Sequence, residues 1–214
     1  WEDRQQGHIY AAGADVAEGG GGADDDWSVL AIICVTCRRT AFRYRARVGV
    51  DTFYRACHQW CSKYNYALLA PEENNHGHAV LLGLREMGYK NLYCRNKNTR
   101  LNGTLKELKY GFKTDATTKP LMLDYLKLCL GGETLADEDH FEPEITWLDT
   151  ELLTEALYVS EIEGKIKASS GHHDDLVMAY AVAMQMYKIS RPASHVVTGI
   201  KIGDPLQSIK EFKT

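Results

Sequence analysis

The chain has 214 residues, 44% apolar and 25% charged, with 25 Lys+Arg against 29 Asp+Glu for a net charge of −4. That is the composition of an ordinary globular protein, which excludes a disordered or fibrous chain. No apolar run reaches the roughly 20 residues of a membrane helix, and no signal-peptide pattern opens the chain. Taken whole, the mild acidity argues against a nucleic-acid partner.

In chain order, Ile9–Val16 reads as a first strand, apolar and ending on acid, followed by a flexible loop at glycines 19–22. Ser28–Thr36 and Ala41–Val50 read as two further strands joined tightly around Arg38-Arg39-Thr40, a hairpin. Asp51 can cap a helix running to about Tyr64. Tyr66–Ala70 is a short buried strand stopped by Pro71, His76–Met87 a helix ended by Gly88, and Asn91–Arg95 another short strand. Residues 96–114 are polar, an irregular loop or hairpin. Asp115–Leu130 is helical, with Pro120 in its first turns and Gly131-Gly132 after its end. A short helix from Thr150 to about Tyr158, a tight turn at Glu163-Gly164-Lys165 and a strongly apolar helix at Asp174–Lys188 complete the pattern. Three antiparallel strands followed by alternating helices and strands predict an α/β fold, a mixed sheet with helices on both faces. One domain spans residues 1–190, and 191–214 reads as a C-terminal tail.

The charge is unevenly placed. Residues 131–163 hold eleven acids and no Lys or Arg, leaving 18 acids and 25 bases elsewhere, a balance of +7. Arg38, Arg39, Arg43, Arg45 and Arg47 crowd one stretch, and Arg43, Arg45 and Arg47 would share one strand face. Such a surface suits a phosphate-rich partner. Of six cysteines, Cys34-x-x-Cys37 followed by Cys57-x-x-x-Cys61 has the outline of a zinc site. Phe53, Cys57, Trp60, Cys61 and Tyr64 nevertheless fall at the spacing of a helix core stripe, and Cys34 closes an apolar strand, so the cysteines read as core in a reducing compartment.

Acids end three separate elements. Asp15 closes the first strand, Glu72 follows the fourth in Pro71-Glu72-Glu73-Asn74-Asn75, and Asp174-Asp175 open the last helix after Gly171-His172-His173. In a sheet of this order those ends can converge, and carboxylates meeting there repel one another unless cations neutralise them. Hard oxygen ligands select Mg²⁺ or Mn²⁺, and two such ions roughly 4 Å apart can clamp both oxygens of a phosphodiester displacement.

Asp15–Glu18 with its glycine run and Asp26-Trp27-Ser28 resembles the first motif of the nuclease domain of viral (tailed bacteriophage) large terminase subunits. Glu72-Glu73-Asn74-Asn75-His76-Gly77-His78 resembles the second. Gly111-Phe112-Lys113-Thr114 with Lys119-Pro120-Leu121-Met122 is similar to the segment before that family's next helix, and Gly171–Ala179 to its final motif. The four run in the family's order across residues 9–189. The resemblance implies a ribonuclease H-like fold and an endonuclease using two Mg²⁺ or Mn²⁺ ions to cut concatemeric double-stranded DNA during genome packaging, with little sequence preference. It implies Asp15 as the bridging ligand, Glu72 as the second, and the third from the Asp174-Asp175 pair; neighbours on a helix point about 100° apart, so one of the two is the main ligand, with Asp175 favoured. Glu18, Asp26, Glu73 and His173 become candidates for supporting the ligands. Arg38, Arg39, Arg43, Arg45, Arg47 and Lys113 become candidates for holding DNA. The family carries a packaging ATPase ahead of the nuclease. No G-x-x-x-x-G-K-[ST] loop occurs here and the chain opens on Trp1, as expected of a nuclease cut from a larger motor. The implied partners are that ATPase, DNA, a portal ring and a small terminase subunit, in the host cell cytoplasm and without a membrane. Alternatives are another ribonuclease H-like nuclease, such as a Holliday-junction resolvase or an integrase-type recombinase, and, outside catalysis, a DNA-clamping or zinc-ordered module.

Overall fold

The structure is a computed structural model that describes residues 1, 3–17, 26–95, 100–101, 104–105, 108–131, 145–162 and 165–191. Four strands form the main sheet: β1 (Tyr10–Asp15), β2 (Ser28–Cys34), β3 (Arg39–Ala46) and β4 (Leu68–Pro71). Their spatial order is β3-β2-β1-β4, with β1–β2 and β2–β3 antiparallel and β1–β4 parallel. The central strands are apolar on both faces, and helices cover both. Ala12, Ala14, Leu30, Ile32 and Leu69 pack against α1 (Val50–Lys63) and α2 (Asn75–Glu86). Ala11, Val29, Ala31, Ile33 and Ala70 pack against α3 (Thr118–Cys129) and α5 (Asp175–Ser190), with α4 (Thr150–Ala156) alongside. The expected mixed α/β fold with helices on both faces is therefore the observed one.

Some local expectations differ. Asn91–Arg95 forms only isolated bridges, Leu92 beside Leu69 and Cys94 opposite Tyr110, extending the β4 edge without a full ladder. Asp51 sits in the first turn of α1, whose cap is Gly49 without a side-chain bond. Two small hairpins, β5–β6 (Arg100–Leu101, Thr104–Leu105) and β7–β8 (Val159–Ile162, Lys165–Ala168), complete the elements. The second flanks the turn expected near Gly164. Residues 163–164, the glycine run at 19–22, residues 132–144 of the acidic stretch and the tail from 192 lie outside the described residues. No helix among the described residues is long and apolar enough to cross a membrane. The core stripe of α1 is as read, with Phe53, Cys57 and Cys61 wholly buried.

Helix α5 is apolar all round because it lies in the middle of the protein, and twelve of its sixteen residues are buried. Each large apolar side chain so withdrawn from water contributes about 1.5–3 kcal/mol. Its approach to the sheet depends on one residue. A Cβ on Gly13 would lie 2.3 Å from both the Ala179 carbonyl oxygen and the Ala183 nitrogen, so only glycine lets α5 rest on β1 at this depth.

Candidate functional site

The parallel pairing of β1 and β4 sets Ala14 beside Pro71, and the Glu72 N–H donates to the Ala14 carbonyl at 2.8 Å. Strand residues alternate faces, so Asp15 follows Ala11 and Gly13 onto the α5 side, and Glu72 follows Ala70 onto the same side. Ala179 on α5 meets Gly13, and Asp175 lies one helical turn, about 6 Å, back from it. Asp15 lies two strand residues, about 6.6 Å, beyond Gly13. The start of α5 is thereby level with the ends of β1 and β4. Two further contacts fix the Glu72 end. Asn74 caps α2 by accepting from the Gly77 N–H at 2.7 Å, and its amide donates to Val16 O at 3.4 Å. A Cβ on Gly77 would meet the Glu72 carbonyl oxygen at 1.8 Å, so the first turn of α2 abuts the backbone of Glu72.

The electrostatics of this corner are those of crowded carboxylates. Burial pushes the Asp15 carboxyl well above the usual carboxylate range, and the charge of Glu72, a carboxyl–carboxyl hydrogen bond to it, and the charges of Asp175 and Asp174 push it further. Asp175, 7% exposed, is raised to about 6 by burial. The Trp27 N–H and His173 counter that shift, while Asp26 and Asp174 add to it. Its Oδ2 accepts from the Trp27 N–H at 3.2 Å and lies 3.6 Å from His173 Nδ1, which is also 3.6 Å from Asp26 Oδ1. Asp26, His173 and Asp175 present donor atoms close enough to share a cation. Asp174 is less buried and lies 3.6 Å from Lys119 Nζ. The charges acting most strongly on Asp15 all belong to carboxylates, so this oxygen-rich set fits a hard divalent cation.

Four of the anticipated ligands, Asp15, Glu72, Asp174 and Asp175, are thus brought together, with Asp26 and His173 beside Asp175. Glu73 is not part of the group. It alternates to the other side of the chain and forms an ion pair with Arg95. Glu18 lies outside the described residues. His172 stacks flat on Tyr158, with ring centroids 3.6 Å apart, and neither it nor His173 caps α5.

That capping role belongs to Glu155, a residue sequence reasoning missed. Its Oε1 accepts from the N–H groups of Leu176 and Val177 at 2.7 and 3.2 Å. Asp is a common capping residue type and Asp174 opens the helix, so nothing in the sequence called for an acceptor from another element; the structure gives Asp174 no side-chain capping bond.

The arginine stripe also has partners inside the protein. Arg43 donates to Asp149 and Glu151, both at 2.9 Å. Arg45 reaches Glu151 at 3.5 Å and Glu155 at 3.4 Å, and Arg45 and Arg47 stack over Trp27. The arginines Arg43, Arg45 and Arg47, expected to share one strand face, are thus engaged within the protein, because α4 and Trp27 occupy that face. Part of the acidic segment is this counter-charge: Asp149, 3% exposed, also accepts from the Tyr180 hydroxyl at 2.9 Å and caps α4. Arg38 and Arg39 are exposed at the β2–β3 turn, the end of the sheet away from the carboxylates. Lys113 is exposed just beyond Phe112, which bridges to Glu72.

No family model and no curated relative matches the chain. Solved structures do. The large terminase nuclease from thermophilic phage G20c with bound magnesium superposes with a TM-score of 0.62 at 18% identity, covering 86% of this chain and 84% of that one. The same nuclease with bound cobalt gives 0.63 at 18% identity over the same shares. The Thermus phage P74-26 large terminase nuclease domain gives 0.57 at 18%, over 87% and 84%. This chain shares their ribonuclease H-like fold.

Proposed function

We propose that this chain is the nuclease domain of a tailed-phage large terminase subunit, a metal-dependent endonuclease that cuts concatemeric double-stranded DNA during genome packaging in the host cytoplasm. The observation that carries this is the meeting of Asp15, Glu72 and Asp175 at one corner of a fold shared with phage terminase nucleases. Asp15, Glu72 and Asp175 would hold two Mg²⁺ or Mn²⁺ ions, with Asp174 at the rim. When bound, such ions stabilise the charge that develops on the phosphate and activate water for attack.

The protein's own part is to hold carboxylates that repel one another. β1 and β4 fix Asp15 and Glu72 through their register, and the Trp27 N–H and His173 aim Asp175. Lys113 and Lys119, on the carboxylate side of the sheet, are the proposed contacts to the DNA backbone there. Arg38 and Arg39 would meet the duplex farther along. The packaging ATPase of the same polypeptide, a portal ring and a small terminase subunit complete the proposed assembly.

Replacing Asp15 with Asn is the direct test. In the presence of Mn²⁺ or Mg²⁺ the wild-type chain nicks and linearises plasmid DNA with little sequence preference, and Asp15→Asn, folded by circular dichroism, does not. Retained cutting in that variant would move the site elsewhere. A marked preference for four-way junctions over linear duplex would favour a resolvase instead.

A further inference from the structure

A second cluster of metal-ligating side chains lies at the opposite end of the β1–β2 pair. Cys34 ends β2 opposite Tyr10, whereas Asp15 pairs with Val29 five residues along, about 17 Å away. Beyond Cys34 the chain reverses through a turn in which Arg38 takes the left-handed conformation, φ 56°. This brings Cys37 back over Cys34, and the Cys37 N–H donates to Cys34 Sγ at 3.3 Å. His8, just ahead of β1, joins them, its Nδ1 3.1 Å from Cys37 Sγ and 3.5 Å from Cys34 Sγ.

We propose that His8, Cys34 and Cys37 form a zinc site distinct from the carboxylate corner. The geometry supports it quantitatively. With Zn–S of about 2.3 Å and Zn–N of about 2.1 Å, the sulfur–nitrogen edges of a tetrahedral site are roughly 3.6 Å. The two sulfur–nitrogen distances here need to open by only a few tenths of an ångström, and all three donor atoms lie within 4.8 Å of one another.

The surroundings are those of ligands held in place. An N–H bond to a coordinating sulfur orients it, and here it partly offsets the burial that pushes the Cys34 thiol up to about 11. The backbone beside His8 is fixed from both sides: the Val35 N–H donates to Ile9 O at 2.8 Å, the Ile9 N–H to the Thr36 hydroxyl at 3.0 Å, and the Asn65 amide to His8 O at 2.9 Å. Cys34 is buried while His8 and Cys37 are half-buried, so solvent has access to two of the three donors and water would be the fourth ligand. Imidazole and thiolate donors select zinc, whereas the oxygen set at Asp15 selects harder ions, so the two sites would not compete for one metal. The other two cysteines of the sequence outline, Cys57 and Cys61, are wholly buried in α1 and take no part.

Zinc here would tie the N-terminal segment to the β2–β3 turn. The test uses the full chain, reduced and stripped of metal, titrated with Co²⁺. Cobalt at this site gives the strong visible bands of tetrahedral coordination and a thiolate-to-cobalt charge-transfer band, and Zn²⁺ bleaches both. Asp15→Asn keeps these signals, because the carboxylate corner offers no sulfur. Cys37→Ser, which leaves Cys34 as the one thiolate, lowers the charge-transfer band to half or less, and His8→Ala weakens zinc binding by more than about tenfold. In the unsubstituted chain, Zn²⁺ also protects Cys34 and Cys37 from alkylation as mapped by mass spectrometry, while Cys94 and Cys129 are unchanged. A cobalt spectrum without thiolate charge transfer, a charge-transfer band undiminished in Cys37→Ser, or alkylation indifferent to Zn²⁺ would each overturn the proposal.

Discussion

Glu155 is the sharpest place to test how the carboxylate corner is held. It does not join the acids around Asp15, yet its Oε1 satisfies the first free N–H groups of α5, at 2.7 Å from Leu176 and 3.2 Å from Val177. Its Oε2 lies 3.4 Å from Arg45. Glu155→Ala leaves two buried helix N–H groups unmet and Arg45 one partner short. Loss of a helix cap costs about 1 kcal/mol and loss of charge-assisted bonds about 1.5–3 kcal/mol, so about 3 kcal/mol together. For a chain of this size that lowers Tm by roughly 6–12 °C. Burial already pushes the Glu155 carboxyl up to about 6, against the Val177 and Leu176 N–H groups and Arg45. Its charge is therefore held at a cost, and the acceptor geometry matters more. Glu155→Gln, which keeps an oxygen at that position, should stay within about 1 kcal/mol of wild type. Thermal unfolding followed by circular dichroism measures both variants, and Mn²⁺-dependent plasmid nicking reads the consequence at Asp175, in the turn being capped. An alanine variant melting within about 2 °C of wild type and cutting normally would refute the capping argument.

Gly13→Ala inserts a methyl group where two backbone atoms of α5 already lie at 2.3 Å, so α5 must move outward. Overpacking of this kind costs about 1–3 kcal/mol, and separating Asp175 from Asp15 should weaken Mn²⁺ binding measured by calorimetry; unchanged affinity would show that the close approach does not set the site. For pH, Asp175 has a folded pKa of about 6, above its unfolded value of about 3.9, so its contribution to metal-free stability is present below about pH 4 and is lost as pH rises through about 6, by up to about 3 kcal/mol. Asp15 and Glu155 act in the same direction. Urea unfolding without metal should therefore show stability falling from pH 4 to 7, with the slope flattened in Asp175→Asn and reversed by Mn²⁺; a rising metal-free profile would contradict the crowding of these acids.

The sequence made the strands and the acid-bearing ends legible because both depend on local signals. β1 and β2 are short apolar runs, and Asp15, Glu72 and Asp175 stand where such runs stop. Element order allowed their convergence, and the parallel β1–β4 pairing with a helix laid on β1 is what brings it about. What escaped were pairings between residues far apart in the chain. Glu155 and Leu176 are separated by 21 residues, and Arg43 and Asp149 by 106. A strand face of Arg43, Arg45 and Arg47 looks the same in sequence whether it meets DNA or the protein's own α4. His8 beside Cys34 and Cys37 escaped for the same reason, because the histidine precedes β1 while both cysteines follow it by more than twenty residues.

The alternation along β1 carries two codes on one short strand. Tyr10, Ala12 and Ala14 face α1 and α2, while Ala11, Gly13 and Asp15 face α5. A one-residue insertion ahead of Gly13 that slipped β1 against its neighbours would exchange the two sets. It would turn a carboxylate into the apolar packing beneath α1 and α2, where no ligand partner waits, and present Tyr10 and the alanines to α5. The register that makes the strand fold is thus the register that makes it chemically competent. Deletions and insertions in β1 should eliminate stability and metal binding together.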